Sequence, residues 1–341
     1  MKAVKILLII AVSLSLSKIS AQDIHFSQIG YSPLNLNPAL TGIFEGDMRL
    51  TMNYRQQWNP IVNYETFSGA FDMSFYNDEY QKQFFSGGLL FNYDVAGDSR
   101  LTLANLGLTG SYTHRIGRAH YLSIGGMAAY NNRSFDISDL TFISQYDTET
   151  QTHNSNIDPN EDAYNASVSL FDVSAGINWH YRVPKRKKRT SFDLGLGLMH
   201  FNEPEQAFLS ENDMEKLPLR WSTYLFTTLQ IHDNIDILLQ GSFQDQGPHR
   251  ELFYGGGVQL HLNTDYDEEV ALQLAFNRRA KDAWSPMFGV RYRMWKAALS
   301  YDLNTSPFKI GTNRRGGPEL SVIYIFTKVK PMEAKICPIY L

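Results

Sequence analysis

The sequence predicts an all-β chain: a transmembrane antiparallel β-barrel of about fourteen strands, with a short amino-terminal extension ahead of the first. Three observations carry that reading. Apolar and polar residues alternate with a period of two over long runs, the chain opens with an export-type leader, and the connections between runs alternate between tight and long.

The leader comes first in the chain. Lys2 and Lys5 form a basic start, Ile6 to Leu16 is apolar, and Ile19-Ser20-Ala21 offers a small residue at a cleavage point. Residues 1–21 therefore read as a signal peptide, too short to span a bilayer as a helix. No Cys follows the expected cut, which argues against a lipid anchor there. Removal of the leader takes Lys2, Lys5 and Lys18 from a chain of net charge −4, leaving −7. That balance argues against a nucleic-acid binder, which needs a basic surface to neutralise phosphates. The single Cys, Cys337, excludes an intramolecular disulfide and a Cys-based zinc site, and reads as a tail thiol without chemistry. No linker or shift in composition divides the chain, so a single barrel domain is expected.

Residues 22–48 form a polar, turn-rich segment. Asn37 can cap a short helical turn with Pro38 at its first position, and Gly42 can close it in a left-handed conformation. The segment is too polar for a lipid-facing strand. A fourteen-stranded barrel encloses more space than its wall side chains fill, so the segment is expected in the lumen or the periplasmic mouth. The other reading is an ordered periplasmic tail.

The barrel is expected over 49–328, with 329–341 as a periplasmic tail. In the first strand Leu50, Met52 and Tyr54 alternate with Arg49, Thr51, Asn53, Arg55 and Gln57; the pattern recurs at Phe67, Phe71, Met73 and Phe75, at Ile235, Ile237, Leu239 and Phe243, and at Val270, Leu272, Leu274 and Phe276. Such runs place strands near 49–57, 64–76, 84–94, 100–115, 119–135, 166–182, 190–201, 217–231, 235–245, 251–263, 269–279, 284–293, 296–304 and 317–328. Many exceed the roughly five or six residues usual in soluble domains. One apolar and one Arg/Asn/Gln-rich face suit a wall between lipid and water. With the amino terminus in the periplasm, the long connections 136–165, 202–216 and 305–316 fall outside the cell, and tight ones such as 116–118 and 232–234 fall in the periplasm. Trp58, Trp179, Trp221, Trp284 and Trp295 stand within about four residues of expected strand ends, where interfacial aromatic girdles belong.

Inside the barrel, alternation points Arg49, Arg55, Arg291, Arg293, Asp302 and Glu319 inward. The first and the last three strands are neighbours on closure, so these charges are expected to form one network on one wall. It either braces the wall or, with Asn37 and Pro38, offers a docking surface to a partner polypeptide. Lys185, Arg186, Lys187, Lys188 and Arg189 form a basic run at an expected periplasmic turn. It either meets anionic lipid or an acidic partner, or is a solvated turn. The loop 136–165 carries Asp136, Asp139, Asp147, Glu149, Asp158, Glu161 and Asp162. Its stretch 158–162 resembles the oxygen spacing of a calcium loop but lacks the turn Gly and distal Glu of an EF-hand, so a solvated loop is expected. The nine histidines are scattered singly, no GxSxG elbow surrounds a serine, and the inward His180 and His261 read as wall hydrogen-bonders. No enzyme, cofactor or metal is expected.

The two ends of the chain carry a family resemblance. Gln22-Asp23, His25-Phe26-Ser27-Gln28, Leu36-Asn37-Pro38-Ala39, Thr41-Gly42, Gly46, Arg49 and Asn53-Tyr54-Arg55-Gln56-Gln57-Trp58 at the start, with Cys337-Pro338 at the close, resemble the PorP/SprF family of type IX secretion outer-membrane proteins. The resemblance implies a non-catalytic outer-membrane barrel of the secretion and gliding machinery. Such a barrel helps to export or hold the carboxy-terminal domain of an adhesin-like surface protein, or links the periplasmic secretion ring to the outer membrane. A general or substrate-selective porin remains the alternative, since polar alternation suits both.

Overall fold

The computed structural model describes residues 23–327 except 60, 62–63, 76–81, 98–99, 136–141, 148–150, 155, 159–166, 184–187, 207–214, 265–267 and 308. The signal peptide, Lys185, Arg186, Lys187, much of the acidic loop with Glu161 and Asp162, the tail 329–341 and Cys337 lie outside the described residues.

Period-two alternation becomes strand throughout. In chain order the strands are β1 (Met48–Gln57), β2 (Tyr64–Phe75), β3 (Gln83–Ala96), β4 (Leu101–Ile116), β5 (His120–Ser134), β6 (Tyr146–Asp147), β7 (Thr152–His153), β8 (Ser167–Arg182), β9 (Ser191–Met199), β10 (Glu205–Gln206), β11 (Glu215–Lys216), β12 (Arg220–His232), β13 (Ile235–Gln246), β14 (His249–Asn263), β15 (Val270–Arg279), β16 (Ala283–Tyr292), β17 (Trp295–Asn304) and β18 (Arg315–Phe326). Fourteen of them close into one antiparallel barrel; β6–β7 and β10–β11 are two-stranded hairpins in the loops, too short to leave a periodic trace in the sequence. β1 meets β18 from Met48↔Phe326 to Arg55↔Glu319, which closes the wall and leaves no long free edge.

The barrel has two unlike ends. At the terminal end β1 begins, β18 finishes and the tight turns 117–119, 233–234 and 293–294 lie. At the loop end are the long connections 135–166, 200–219 and 305–314. The second of these folds back as β10–β11 and buries Leu217, whose N–H donates to Pro204 O, so β12 begins at Arg220 rather than at the expected 217.

The wall is inside out relative to a soluble domain. Leu89, Leu108, Phe171, Leu274 and Leu299 are exposed on its outer face, while Asn53, Asp72, Thr113, Asn178 and Asn277 are buried on its inner face. Among the described residues no helix is long and apolar enough to cross a membrane. The tryptophans take both rims. Trp295 lies against Tyr324 and Trp179 stacks on His120 near the terminal end, and Trp284 stacks on Phe276 near the loop end.

Leu274→Arg, on the outer face between the rims, is expected to lower folding stability in lipid by about 2–4 kcal/mol. Denaturant titration of the barrel refolded into vesicles measures it, with Leu274→Ala as the size control.

Candidate functional site

The lumen is occupied by the chain's own amino-terminal segment. Its proline-bearing turns are local in origin. Ile29–Tyr31 is a 3-10 turn, Pro33–Leu36 a single α-turn begun by Pro33, and Pro38–Leu40 a second 3-10 turn. Asn37 caps the last of these, its side chain accepting from Ala39 N at 2.8 Å, and Gly42 follows at φ 74°. The expected cap, first-turn proline and left-handed glycine are all present. Because these turns keep the segment from extending as a strand, it cannot join the wall and instead lies across the lumen.

It runs the whole length of the barrel. Asp23, the first described residue, sits at the loop end. There it pairs with His200, with Arg220 at 3.3 Å and with Arg133 at 3.7 Å, and its N–H donates to Gln246. Asp47 joins the wall at the terminal end through Phe326 O. Both chain ends were expected on one side of the membrane. The chain at Asp23 instead lies the length of the lumen away from the start of β1.

Beyond Asp23, three further sets of contacts hold the segment. Nearest the loop end, Ser27 N and Gln28 N each donate to the Glu319 carboxylate at 2.8 Å, and Ser27 Oγ donates to Asp302 at 2.8 Å. Arg55 pairs with Asp302 at 2.7 Å and donates to His25 O at 2.6 Å, and Arg279 reaches Asp302 at 2.9 Å from the other side. At mid-height, Asn37 donates to Ile177 O and to the Tyr224 hydroxyl, which in turn donates to Asn178; Asn35 donates to Ser68 and Asn92. Leu34 packs with Ala70, Leu90, Met127 and Met199, and Leu36 and Leu40 pack with Tyr224, forming small apolar clusters within a polar lumen. Near the terminal end, Gly42 N donates to Asp72 at 2.7 Å, and Arg49 binds both Asp72 and Leu40 O.

The wall is shaped to admit this backbone. Gly125, Gly176 and Gly197 stand side by side on β5, β8 and β9 by register. A Cβ on them would meet the Ala39 backbone at 2.6 Å, Asn37 Oδ1 at 1.9 Å and Leu36 O at 2.6 Å. Any side chain larger than hydrogen there would push the segment off the wall. Beside the segment a cavity of about 50 Å³ lies between Asn35, Asn92, Asn131, Asp172 and His200.

The single charge network expected from alternation is divided. Arg55, Asp302 and Glu319 do meet, joined by Arg279. Arg49 lies about 20 Å further along β1, since six residues rise roughly 3.3 Å each, and serves Asp72 instead. Arg291 faces inward but pairs with Glu269 at 2.9 Å, in a second chain at the terminal end that continues through His261 and Asp236 to Arg189. Arg293 is not an inward residue. It lies beyond the end of β16 in a turn at φ 54°, over the Tyr292 ring, where strand parity no longer applies. In the basic run, Lys188 is exposed, but Arg189 is not a solvated turn residue: its guanidinium binds Asp236 at 2.7 Å and Asp233 O at 2.7 Å. His261 is buried between Asp236 and Glu269, and His180 accepts or donates to Asp193 at 2.8 Å, each as a wall hydrogen-bonder.

Sequence reading missed Asp23, Ser27, Gln28, Asp72, His200, Arg220 and Arg279 as contact residues. Asp72 and Arg279 carried the inward parity that could have flagged them. His200 follows the end of β9 and carried no signal.

A family model described as type IX secretion system membrane protein PorP/SprF matches residues 19–324. Among solved structures, the toluene transporter TbuX of Ralstonia pickettii superposes with a TM-score of 0.50 at 10% identity, covering 87% of this chain and 93% of that one. A FadL homologue of Pseudomonas aeruginosa gives 0.48 at 10% identity, over 85% and 93%. At such identity the likeness to TbuX is one of outer-membrane barrel fold alone. None of the curated proteins matches the chain.

Two outcomes follow from the packed lumen. Gly176→Leu is expected to dislodge the segment and raise single-channel conductance in planar bilayers from near silence, whereas Gly126→Leu on the outward side of β5 leaves it silent. The second concerns pH. Burial alone would lower the His200 pKa from its ordinary 6.5, but Asp23 and Asp172 outweigh burial and push it up to about 9. Burial likewise raises Asp23, and His200, Arg220 and Arg133 outweigh it, holding the carboxyl well below its usual range. The His200 contribution is complete below 6.5 and lost as pH rises through about 9; the Asp23 contribution is complete above 3.8 and lost in strong acid. Protection of residues 23–28 in hydrogen exchange, corrected for intrinsic rate, is expected to hold near pH 7 and fall between pH 8 and 10, and His200→Gln removes that alkaline step.

Proposed function

Because this chain belongs to the PorP/SprF family of type IX secretion system membrane proteins, we propose that it is a non-enzymatic outer-membrane barrel that docks, exports or anchors an adhesin-like surface protein, or ties the secretion ring to the membrane. The observation that carries this reading is the filled lumen. A general porin needs an open aqueous path, and here the path is taken by a segment with hydrogen bonds or packing at every height. A barrel closed this way serves better as a membrane-fixed receptor than as a passive channel.

In this reading residues 1–21 are a cleaved export signal, the terminal end faces the periplasm, and the loops face outward. Exposed Lys188 then stands on the periplasmic side, available to an acidic partner or anionic lipid. Asn37, Pro38, Arg55, Asp302 and Glu319 are buried, so a partner polypeptide reaches them only by displacing the amino-terminal segment. Arg49, Arg291 and Arg293 act separately from that cluster. His180, His200 and His261 pair with carboxylates, and Asp72 and Asp302 with arginines, as bracing of the wall and segment would have them.

Affinity capture of the tagged barrel from detergent-solubilised outer membrane, followed by mass spectrometry, tests the proposal. Recovery of an exported surface protein or of periplasmic secretion components is expected. Recovery of lipopolysaccharide and general porins alone would contradict it.

A further inference from the structure

One panel of the wall departs from regular pairing. On β16, Pro286 keeps its partner Phe276 on β15, but pairing with β17 lapses between Trp284↔Leu303 and Met287↔Ser300. On β18, Pro318 keeps its partner Tyr301 on β17, but pairing with β1 ends one residue short of it, at Arg55↔Glu319. Each proline lacks an N–H, and the bonds are missing on the side away from its surviving partner. Between the two prolines the β17–β18 register shifts at Asp302/Leu303. At Gly317, φ is 151° and a Cβ would fall 1.8 Å from Gln56 O, so the joint with β1 closes only on glycine. Two adjacent joints, β16–β17 and β17–β18, are thus irregular at one height, while β18 and β1 stay joined beyond their last ladder pair by Trp58 N donating to Gly316 O at 2.6 Å. A cavity of about 370 Å³ opens there, lined by Gln56, Asn59, Tyr301, Arg315 and Pro318.

Gaps of this kind are costly in a membrane unless the freed groups are matched from within. Beside the lapse the amino-terminal segment binds this panel from within. Gln28 Nε2 donates to the backbone oxygen of Glu319 at 2.8 Å and to Ser300 Oγ at 2.9 Å, bridging β18 and β17 beside the last regular β16–β17 pair before the lapse. The panel's two inward carboxylates, Asp302 and Glu319, are gripped from the flanking strands by Arg55 of β1 and Arg279 of β15, with Ser27 between. No comparable break occurs in the pairing of β3, β4, β5 and β8 across the barrel.

We propose that the loop-end half of β16–β18 is a lateral window held shut by Ser27 and Gln28. With the segment in place the wall is complete. On its withdrawal the Glu319 backbone oxygen and both carboxylates lose donors, and the wall parts between β16 and β1, joining the lumen sideways to the membrane. The proposal requires only that the strands span a membrane, and it holds whichever secretion role the barrel serves.

Site-selective labelling of Ser300→Cys in a Cys337→Ser background tests it, because Ser300 faces the lumen directly behind the window. In vesicles, the Ser27→Ala/Gln28→Ala pair is expected to speed labelling by a lipid-partitioning maleimide roughly fivefold, as the loss of about one net hydrogen bond from the closed wall would. Labelling by a charged, membrane-impermeant maleimide should rise far less. Equal gains with both reagents, a gain with the charged reagent alone, or no gain would overturn the proposal. Hydrogen exchange of the Ser27→Ala/Gln28→Ala pair with Ser300 intact gives an independent readout. Residues 299–304 and 316–321 are expected to exchange faster while 122–130 do not, and uniform or absent acceleration would overturn the window equally.

Discussion

The matching of two buried carboxylates organises this molecule. Asp302 and Glu319 face a lumen from which water is largely displaced, and a buried charge is tolerable only when its acceptor sites are filled. Arg55 and Arg279 cannot fill them alone, because a carboxylate offers about four acceptor positions and Glu319 meets only the Nε of Arg55, at 3.6 Å. The backbone N–H groups of Ser27 and Gln28 supply the rest. The wall therefore needs the amino-terminal segment as much as the segment needs the wall. Removal of either would leave charge unmatched in a poorly hydrated space.

The rest of the architecture follows from that dependence. A segment fixed near the loop end must still return to the terminal end to begin β1, so it crosses the lumen, and each height offers it a different partner. The glycine row on β5, β8 and β9 brings the backbone of Leu36–Ala39 against the wall; Asp72 takes Gly42 and Arg49 together below it. Toward the loop end, the panel that breaks regular pairing is the one the carboxylates occupy; the shifts at Gln230/His232 and His261/Asn263 lie at the terminal end. Fold, closure and proposed partner exchange thus converge on one side of the barrel, and membership of a secretion family gives that convergence a use.

The strands were legible because alternation is local: each residue's face follows from its neighbours, and the aromatic rims and the Asn37 cap are equally local. Heights were not legible. Parity puts Arg49 and Arg55 on one face but does not reveal that one meets Asp72 and the other Asp302, which depends on register with β2 and β17. Parity also fails outside strands, which is why Arg293 was misplaced and why Arg189, read within a solvated basic run, turns in to Asp236. Gly125, Gly176 and Gly197 look like ordinary strand glycines until register aligns them. The lumenal position of the opening segment was suggested by its polarity, but its direction of travel depends on contacts between residues some 177 positions apart, such as Asp23 and His200.

The central claim is that residues 23–47 fill the lumen of the assembled barrel in its own membrane. Asn35 and Ser68 lie in hydrogen-bond contact, 2.8 Å apart, at mid-height. A chain carrying Asn35→Cys, Ser68→Cys and Cys337→Ser, treated with a short bis-thiosulfonate in isolated outer membranes, tests the claim most directly. The expected result is near-complete linkage of the peptides bearing positions 35 and 68, seen after proteolysis by mass spectrometry. Absence of that link, with both thiols free to react singly, would contradict it.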